Sequence, residues 1–252
     1  MEIKTILITQ ARTGSTRLPG KILMEVNNTP LLKIHLDRLS KSKNVDKIIV
    51  ATTMNEEDDV IERIGKEWGY EVYRGSENDV LDRFYQSVKN LKPNWVVRVT
   101  SDCPLIDPLL LDKVIEITKA ENKDYGSNVI DETFPDGQDV EVFKFSALEK
   151  AWNEANKLSE REHVTPFIRN NSDLKSGNLF SAISYKNNKD YSNIRMTVDE
   201  QRDFELINKI ISDLGSEQSW LYYTEYIIKN GLANINGNII RNEGYLKSLK
   251  KD

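Results

Sequence analysis

The sequence predicts an α/β fold with a mostly parallel central sheet and helices on both of its faces. Short β-branched runs alternate with stretches of helical periodicity throughout the first hundred residues. The opening run, residues 3–9, is rich in β-branched side chains, as expected of a strand that is buried on both sides. The chain is also large enough for one sizeable core, since it has 252 residues of which 38% are hydrophobic.

The elements up to residue 100 are expected to alternate between strand and helix. Strands are expected at residues 3–9, 47–51, 71–73 and 95–100. Thr29 is expected to be the N-cap of the first helix, with Pro30 in its first position. A second helix is expected to end at Gly69, because glycine readily terminates helices. A third is expected at residues 79–91.

The pattern loosens after residue 100. Residues 139–145 alternate between polar and apolar side chains, which predicts a short antiparallel insertion with one exposed face. Two serine–glutamate pairs have the spacing of a capping box that opens a helix: Ser146 with Glu149, and Ser159 with Glu162. Further strands are expected at residues 180–185 and 194–198, and further helices at residues 200–214 and 220–229.

No change of composition marks a linker between domains. We therefore predict a single domain over residues 1–230, followed by a C-terminal extension over residues 231–252. The last dozen residues are rich in lysine, and we expect them to fray.

The scarce residue types exclude several classes of protein. One cysteine, Cys103, excludes an intrachain disulfide, and two histidines leave few ligands for a zinc site. Any metal must then be held mainly by carboxylates, which favours Mg²⁺. A net charge of −5 argues against a nucleic-acid partner. The opening apolar run is too short for a signal peptide or a membrane span, so we expect a cytoplasmic protein with no membrane partner.

The loop after the first strand carries an unusual number of cations. Arg12, Arg17 and Lys21 lie within ten positions of one another, together with Ser15 and two glycines. Loops that leave the carboxyl ends of strands are the ligand-binding loops of α/β sheets. Arginine and lysine at such a position favour a triphosphate ligand, whereas a solvated basic loop is the alternative. The loop matches neither the Walker A pattern nor GxGxxG.

Six segments of the sequence, in order from about residue 5 to about residue 215, resemble the cytidylyltransferase family. They are ITQARTGSTRLPGK, YRGSENDVLDRF, VVRVTSDCPLIDP, FPDGQDVEVF, SEREHVTPF and RMTVDEQRDFELI. The resemblance is strongest to the branch that is named after the spore coat polysaccharide biosynthesis protein F. Acylneuraminate and 3-deoxy-manno-octulosonate cytidylyltransferases are more distant relatives. Thr13, Ser101 and the pair Glu200-Gln201 depart from the family pattern, and none of these changes removes a charge that the chemistry needs.

The resemblance implies a nucleotidyltransferase fold of the glycosyltransferase-A type. In this family an acceptor oxygen attacks the α-phosphate of CTP, and pyrophosphate leaves. The product would be a CMP-activated precursor for surface carbohydrate. The resemblance also implies a homodimer, with the strand at residues 139–145 as a possible contact.

The resemblance further implies a set of site residues. Asp102 and Asp199 would bind Mg²⁺, although a turn residue and a helix N-cap, respectively, are the structural alternatives. Arg12, Arg17, Lys21 and Asp102 would be catalytic. The residues that would bind the nucleotide CTP are Gln10, Ala11, Arg12, Gly14, Ser15, Arg17, Lys21, Arg74 and Asp102. For Arg74, a charge pair at a helix end is an equally good interpretation.

The acceptor is expected to be small, sugar-like, and acidic or phosphorylated. The residues that would bind it are Gln138, Asp139, Glu141, Arg161, Glu162 and His163. Glu162 also fits a helix cap, and this structural duty could be its whole role. A glycosyltransferase that uses a nucleotide diphosphate sugar is the alternative function, and a non-catalytic nucleotide-binding protein is a third.

Overall fold

The computed structural model describes residues 4–252 of the chain. Its strands are β1 (Thr5–Gln10), β2 (Glu25–Val26), β3 (Thr29–Pro30), β4 (Lys47–Thr53), β5 (Glu71–Gly75), β6 (Trp95–Thr100), β7 (Tyr125–Ser127), β8 (Glu141–Lys144) and β9 (Ala182–Ser184). Its α-helices are α1 (Leu31–Leu39), α2 (Asp59–Glu67), α3 (Val80–Val88), α4 (Pro108–Ala120), α5 (Phe145–Glu154), α6 (Leu158–His163), α7 (Pro166–Asn170), α8 (Gln201–Leu214), α9 (Trp220–Lys229) and α10 (Glu243–Leu249).

The central sheet has seven strands in the order β5-β4-β1-β6-β8-β7-β9. The strands β5, β4, β1 and β6 are mutually parallel, and β8 is antiparallel to both of its neighbours. This arrangement confirms the predicted α/β class and the short antiparallel insertion. Because β8 is paired on both edges, it offers no free edge for pairing with a strand of a second chain. The dimer contact suggested around residues 139–145 stays a prediction.

Helices cover both faces of the sheet. Ile6 and Ile8 of β1 pack in one core cluster with Phe84 of α3, whereas Leu7 packs in another with Leu39 of α1 and Leu111 of α4. The alternation follows from strand geometry, since successive side chains point to opposite faces. A strand that is buried on both sides carries apolar or β-branched side chains on both faces, as residues 5–9 do. The first residue of the strand predicted at residues 3–9, Ile3, lies outside the described residues.

The first helix does not begin where the sequence predicted. Thr29 and Pro30 instead pair with β2 in a small antiparallel hairpin, and α1 starts at Leu31 without a side-chain cap. Asn27 and Asn28 form the turn of the hairpin, and both have positive φ angles, of 52° and 59°. Asparagine tolerates this conformation, which two-residue hairpin turns require. The Asn-Asn pair was therefore the better local signal.

Neither predicted capping box forms. Ser146 and Ser159 lie inside α5 and α6, because the N-caps of these helices, Lys144 and Lys157, each lie two residues earlier than the pattern predicts. At the start of α6, the backbone N–H of Lys157 donates to Glu160 at 3.3 Å. Ser159 donates its backbone N–H and its hydroxyl to Asp252 at the end of the chain.

Residues 194–198 are not a strand of the sheet. They run extended between two loops, with Met196 N–H donating to the carbonyl of Asp136 and Val198 N–H to that of Asp102. Gly137 permits this approach: its φ is 102°, and a Cβ there would lie 2.7 Å from the carbonyl carbon of Met196. The segment therefore delivers its side chains to the loops above the sheet.

The end of the chain is helical where fraying was expected. The helix α10 packs against α6. The division into a domain of residues 1–230 and an extension of residues 231–252 stays a prediction. No helix within residues 4–252 has the length and apolar content needed to cross a membrane.

Candidate active site

A cleft opens above the carboxyl ends of β1 and β6. It consists of two adjoining cavities of about 620 and 530 Å³. We call the larger one the loop lobe, since the loop after β1 lines it with Ala11, Arg12, Ser15 and Lys21. The smaller one is the strand lobe, lined by residues around β8 and α7: Arg98, Asp136, Asp139, Glu141, Arg169 and Arg241. Gln10, Arg17, Asp102, His163, Asp199 and Glu243 are among the residues that line both lobes.

The loop after β1 is held by hydrogen bonds at its start. The backbone N–H and the hydroxyl of Thr13 donate to Asp58 at 2.7 and 2.8 Å, and Thr53 donates to the same carboxylate. Burial alone would raise the pKa of Asp58, but these hydrogen bonds outweigh it and lower the pKa. Gly20, with a φ of 68°, then turns the chain into the short 3₁₀ helix that begins at Lys21.

Asp102 and Asp199 meet at the joint of the two lobes. The Nζ atom of Lys21 lies 3.2 Å from Asp102 and 2.8 Å from Asp199, so both carboxylates share one ammonium group. Burial would lower the pKa of Lys21, but the two aspartates outweigh it and raise the pKa. Burial would likewise raise the pKa of Asp102, but Lys21 and nearby hydrogen bonds lower it. The carboxylate of Asp102 is therefore ionised.

The backbone brings the two aspartates together. The carbonyl of Asp102 accepts a hydrogen bond from the N–H of Val198, the residue before Asp199, at 2.8 Å. Asp199 is not the N-cap of α8, since that position belongs to Glu200. The backbone N–H of Asp199 donates to Asp203 at 2.9 Å. The carboxylate of Asp199 does not cap the helix and lines the cleft.

Every cation of the loop is paired with acids. Arg17 lies 3.1 Å from Asp199 and 3.4 Å from Glu243 of α10, and Arg12 lies 2.9 Å from Glu77. A phosphate that enters the loop lobe must compete with these carboxylates. Such competition suits a highly charged ligand, because a triphosphate offers more charge than any single carboxylate.

The strand lobe is lined by arginine–carboxylate pairs. Arg98 contacts Glu141 at 2.6 Å, and Arg241 contacts Asp139 at 2.8 Å. Burial raises the pKa of Asp139 to about 7, although Arg241 opposes the shift. The carboxyl group of Asp139 therefore loses its proton only near pH 7.

We expect this carboxyl group to make stability depend on pH. The folded chain holds a proton on Asp139 between the ordinary pKa of 3.8 and about 7, whereas the unfolded chain does not. Its contribution to stability is therefore complete at low pH and is lost as the pH rises through 7. Relative to Asp139→Asn, the free energy of unfolding of the wild type should fall between pH 4 and 7. Urea unfolding at several pH values measures this, and parallel curves for the two proteins would contradict it.

His35 and Cys103 are buried, whereas His163 is half-buried and lines the cleft. His35 is fully buried and bonds to Thr9 and to the carbonyl of Cys103. Burial raises the pKa of the Cys103 thiol well above its ordinary value. Burial and the nearby charge of Arg98 lower the pKa of His163 to about 4, so its imidazole is neutral at pH 7. These groups do not support covalent catalysis.

Most of the predicted site residues line the cleft. They are Gln10, Ala11, Arg12, Ser15, Arg17, Lys21, Asp102, Asp139, Glu141, Glu162, His163 and Asp199. Four predicted residues lie elsewhere within the described structure: Gly14, Arg74, Gln138 and Arg161.

The scaffold uses the side chains of the last three. Arg74 donates to the carbonyls of Thr53 and Asn55 at 2.9 Å. Gln138 is fully buried, accepts from the backbone of Asp107 and donates to that of Leu105. Arg161 forms a forked pair with Asp79. Gly14 makes room for a neighbour, since a Cβ would lie 2.6 Å from Glu57. The side chains of Arg74, Gln138 and Arg161 are thus occupied by the scaffold in this structure, and the binding role of Gly14 stays a prediction.

Several residues that line the strand lobe were not predicted from the sequence. Arg195 and Asp136 lie in quoted motifs but were given no role, and Arg169 and Arg241 lie outside those motifs. Tyr245 also lines this lobe, from a helix that was expected to fray. Tyr245 and Leu249 lie one helical turn apart in α10, and this apolar spacing could have predicted a packed helix at the end of the chain.

Comparisons with known proteins agree on one family. The cytidylyltransferase family model matches residues 6–229. An uncharacterised protein of Methanocaldococcus jannaschii is 44% identical over 81% of this chain and 82% of its own. The spore coat polysaccharide biosynthesis protein SpsF of Bacillus subtilis is 33% identical over 83% and 87%. A 3-deoxy-manno-octulosonate cytidylyltransferase of Bartonella tribocorum is 26% identical over 66% and 70%.

Solved structures agree with the fold. A cytidylyltransferase from Leptospira borgpetersenii superposes with a TM-score of 0.84 at 34% identity, covering 96% of this chain and 100% of its own. A CMP:2-keto-3-deoxy-manno-octonic acid synthetase in complex with CTP has a TM-score of 0.62 at 14% identity, over 83% and 99%. The nucleotidyltransferase fold expected from the motifs is thereby confirmed. The chain belongs to the cytidylyltransferase family.

Proposed function

We propose that this protein transfers CMP from CTP to a small sugar acid or phosphorylated sugar-like acceptor and releases pyrophosphate. The product would serve surface carbohydrate biosynthesis, as the name of SpsF indicates for that relative. The observation that carries the proposal is the meeting of Asp102 and Asp199 at the joint of two lobes. A two-lobed cleft with paired acids at its joint suits a reaction between two substrates.

The charges favour CTP in the loop lobe, which leaves the strand lobe for the acceptor. Arg12, Arg17 and Lys21 face the first lobe and can neutralise the phosphates, with Ser15 beside them. An acceptor oxygen then forms a bond to the α-phosphorus while the bond to the β-phosphate oxygen breaks, and pyrophosphate departs with the electron pair. Charge builds on the phosphate oxygens, and positioned cations stabilise it as it develops.

The donor set at the joint fits a hard divalent cation, and we propose Mg²⁺. Asp102 and Asp199 would hold it, and both supply only oxygen ligands. Within residues 4–252 no group of three or more His, Cys, Asp or Glu side chains could hold a metal, which suits an ion that is completed by substrate phosphates. When bound, Mg²⁺ supplies charge stabilisation at the phosphates. Lys21 would exchange its carboxylate partners for a phosphate oxygen.

A pyrophosphate release assay tests the proposal. Incubation with CTP, Mg²⁺ and a panel of acceptors that includes 3-deoxy-manno-octulosonate should release pyrophosphate. Arg17→Ala should lower kcat/KM by at least about 100-fold, because Arg17 lines both lobes and would contact the phosphates of CTP. The matched control is Arg63→Ala, since Arg63 is exposed on α2 and pairs with Glu67.

Two results would count against it. Absence of pyrophosphate across the panel would reject the reaction, and a fully active Arg17→Ala variant would reject the site. Hydrolysis of a nucleotide diphosphate sugar with no release of pyrophosphate would instead favour the glycosyltransferase alternative. A homodimer and a cytoplasmic location also remain proposals, based on the family resemblance and on the residue composition.

A further inference from the structure

One arginine of the strand lobe differs from the others in its partners. Arg98, Arg195 and Arg241 each contact at least one carboxylate at 3.0 Å or less. Arg169, in the last turn of α7, lines the same lobe. Within residues 4–252, no carboxylate lies within 4 Å of its guanidinium nitrogens.

The carboxylate that affects Arg169 most, Glu141, already accepts hydrogen bonds from three other side chains. Burial would lower the pKa of Arg169, but Tyr125 and Glu141 raise it. Glu141 is itself occupied: one oxygen accepts from the hydroxyls of Tyr125 and Thr165 at 2.6 Å, and the other accepts from Arg98 at 2.6 Å. Arg169 thus senses the charge of Glu141 without forming an ion pair with it.

The helix α10 fixes the position of this arginine. The guanidinium carbon of Arg169 lies 5.3 Å from the centre of the Tyr245 ring, a cation–π distance. His163 meets the same ring edge-on at 5.2 Å. Tyr245 also contributes to the raised pKa of Arg169, as expected of two side chains in contact.

The strand lobe as a whole does not attract anions. Acids outnumber arginines among its lining residues, and the arginines with acid partners are neutralised. Selection of an anionic acceptor must therefore depend on a local contact. An arginine without an acid partner, held by an aromatic ring, provides such a contact.

We propose that Arg169 binds the anionic group of the acceptor and thereby determines the acceptor class. This inference rests on the proposed function. It adds the residue that would bind the anionic group of the acceptor, whether that group is a carboxylate or a phosphate. The guanidinium fork matches either group through two parallel N–H donors. Tyr245 would act as a positioning residue that holds Arg169.

Kinetics with defined acceptors test the assignment. The probes are 3-deoxy-manno-octulosonate, which carries a carboxylate, and glucose 1-phosphate, which carries a phosphate. Arg169→Met should raise KM for the accepted probe 10- to 100-fold, as expected for a lost charge-assisted pair, with KM for CTP unchanged. Arg169→Lys should recover part of the loss, and thermal unfolding should show that both variants fold. Arg63→Met is the matched control on the exposed surface of α2.

The outcomes separate this inference from the proposed function. If the wild type turns over a probe and Arg169→Met has the same KM for it, the inference is overturned while the proposed function stands. If the wild type releases no pyrophosphate, calorimetry with both probes in the presence of CTP decides. Binding that is lost in Arg169→Met supports the inference without the reaction. Equal binding by both proteins, or no binding of either probe by the wild type, overturns it.

Discussion

Replacement of Asp102 with asparagine is expected to lower turnover about 1,000-fold while the fold is retained. The substitution keeps the shape of the side chain but removes the negative charge, and a neutral amide is a poor ligand for a hard cation. Loss of one such interaction in the transition state costs about 3 to 4 kcal/mol. Lys21 keeps Asp199 as a partner at 2.8 Å, so the buried ammonium stays paired. Pyrophosphate release over a range of Mg²⁺ concentrations measures the effect.

The control for this variant is Asp213→Asn. Asp213 lies on α8 and pairs with Lys209 and Tyr226 at the surface. It is absent from the lining of both lobes, and its replacement should leave kcat within about twofold. If Asp102→Asn reaches the wild-type rate at high Mg²⁺ concentration, the carboxylate is needed only for metal affinity. If it reaches that rate at ordinary Mg²⁺ concentration, Asp102 does not belong to the reaction.

Replacement of Arg195 with methionine is expected to destabilise the fold by about 3 to 5 kcal/mol. The Arg195 side chain is 6% exposed and contacts three carboxylates: Asp136 at 2.5 Å, Asp199 at 3.0 Å and Asp203 at 2.9 Å. Asp203 is fully buried, so removal of the arginine leaves an uncompensated buried charge. The free energy of unfolding from urea titration measures the loss.

A double variant identifies the cause. If the unpaired charge is responsible, Arg195→Met with Asp203→Asn should recover part of the lost stability, because the buried carboxylate is then neutral. Arg202→Met is the matched control, since Arg202 is exposed on α8 and its side chain contacts Asn238. A loss below about 1 kcal/mol for Arg195→Met would show that the network does not stabilise the fold.

The Arg195 network also explains why two functional elements stay together. Asp203 accepts hydrogen bonds from the backbone of Asp199 and of Glu200 at 2.9 and 3.1 Å. It thereby holds the start of α8 and the cleft aspartate in one arrangement. The sequence reasoning assigned this region a strand and a helix, but it did not identify the arginine that joins them.

Local patterns predicted the central features of this protein. The alternation of strands and helices predicted the sheet, because apolar periodicity reflects which side of an element is buried. Local patterns failed where a contact comes from far along the chain. The pattern around Thr29 predicts a helix cap, but Thr29 pairs with β2 instead. The motif around Gln138 predicts a cleft residue, but its side chain bonds to the backbone of Leu105 and Asp107.

Three features could be located in the amino-acid sequence alone: the cationic loop, Asp102 and Asp199 after extended segments, and the motifs that point to the family. The packing of the folded chain was needed to show that Asp102 and Asp199 share the ammonium group of Lys21. It was also needed to show that Arg169 lines the cleft without an acid partner in the described chain. Periodicity and spacing in a sequence indicate which face of a residue's own helix or strand is buried. The partner of a charged side chain is set by whichever distant segment packs there.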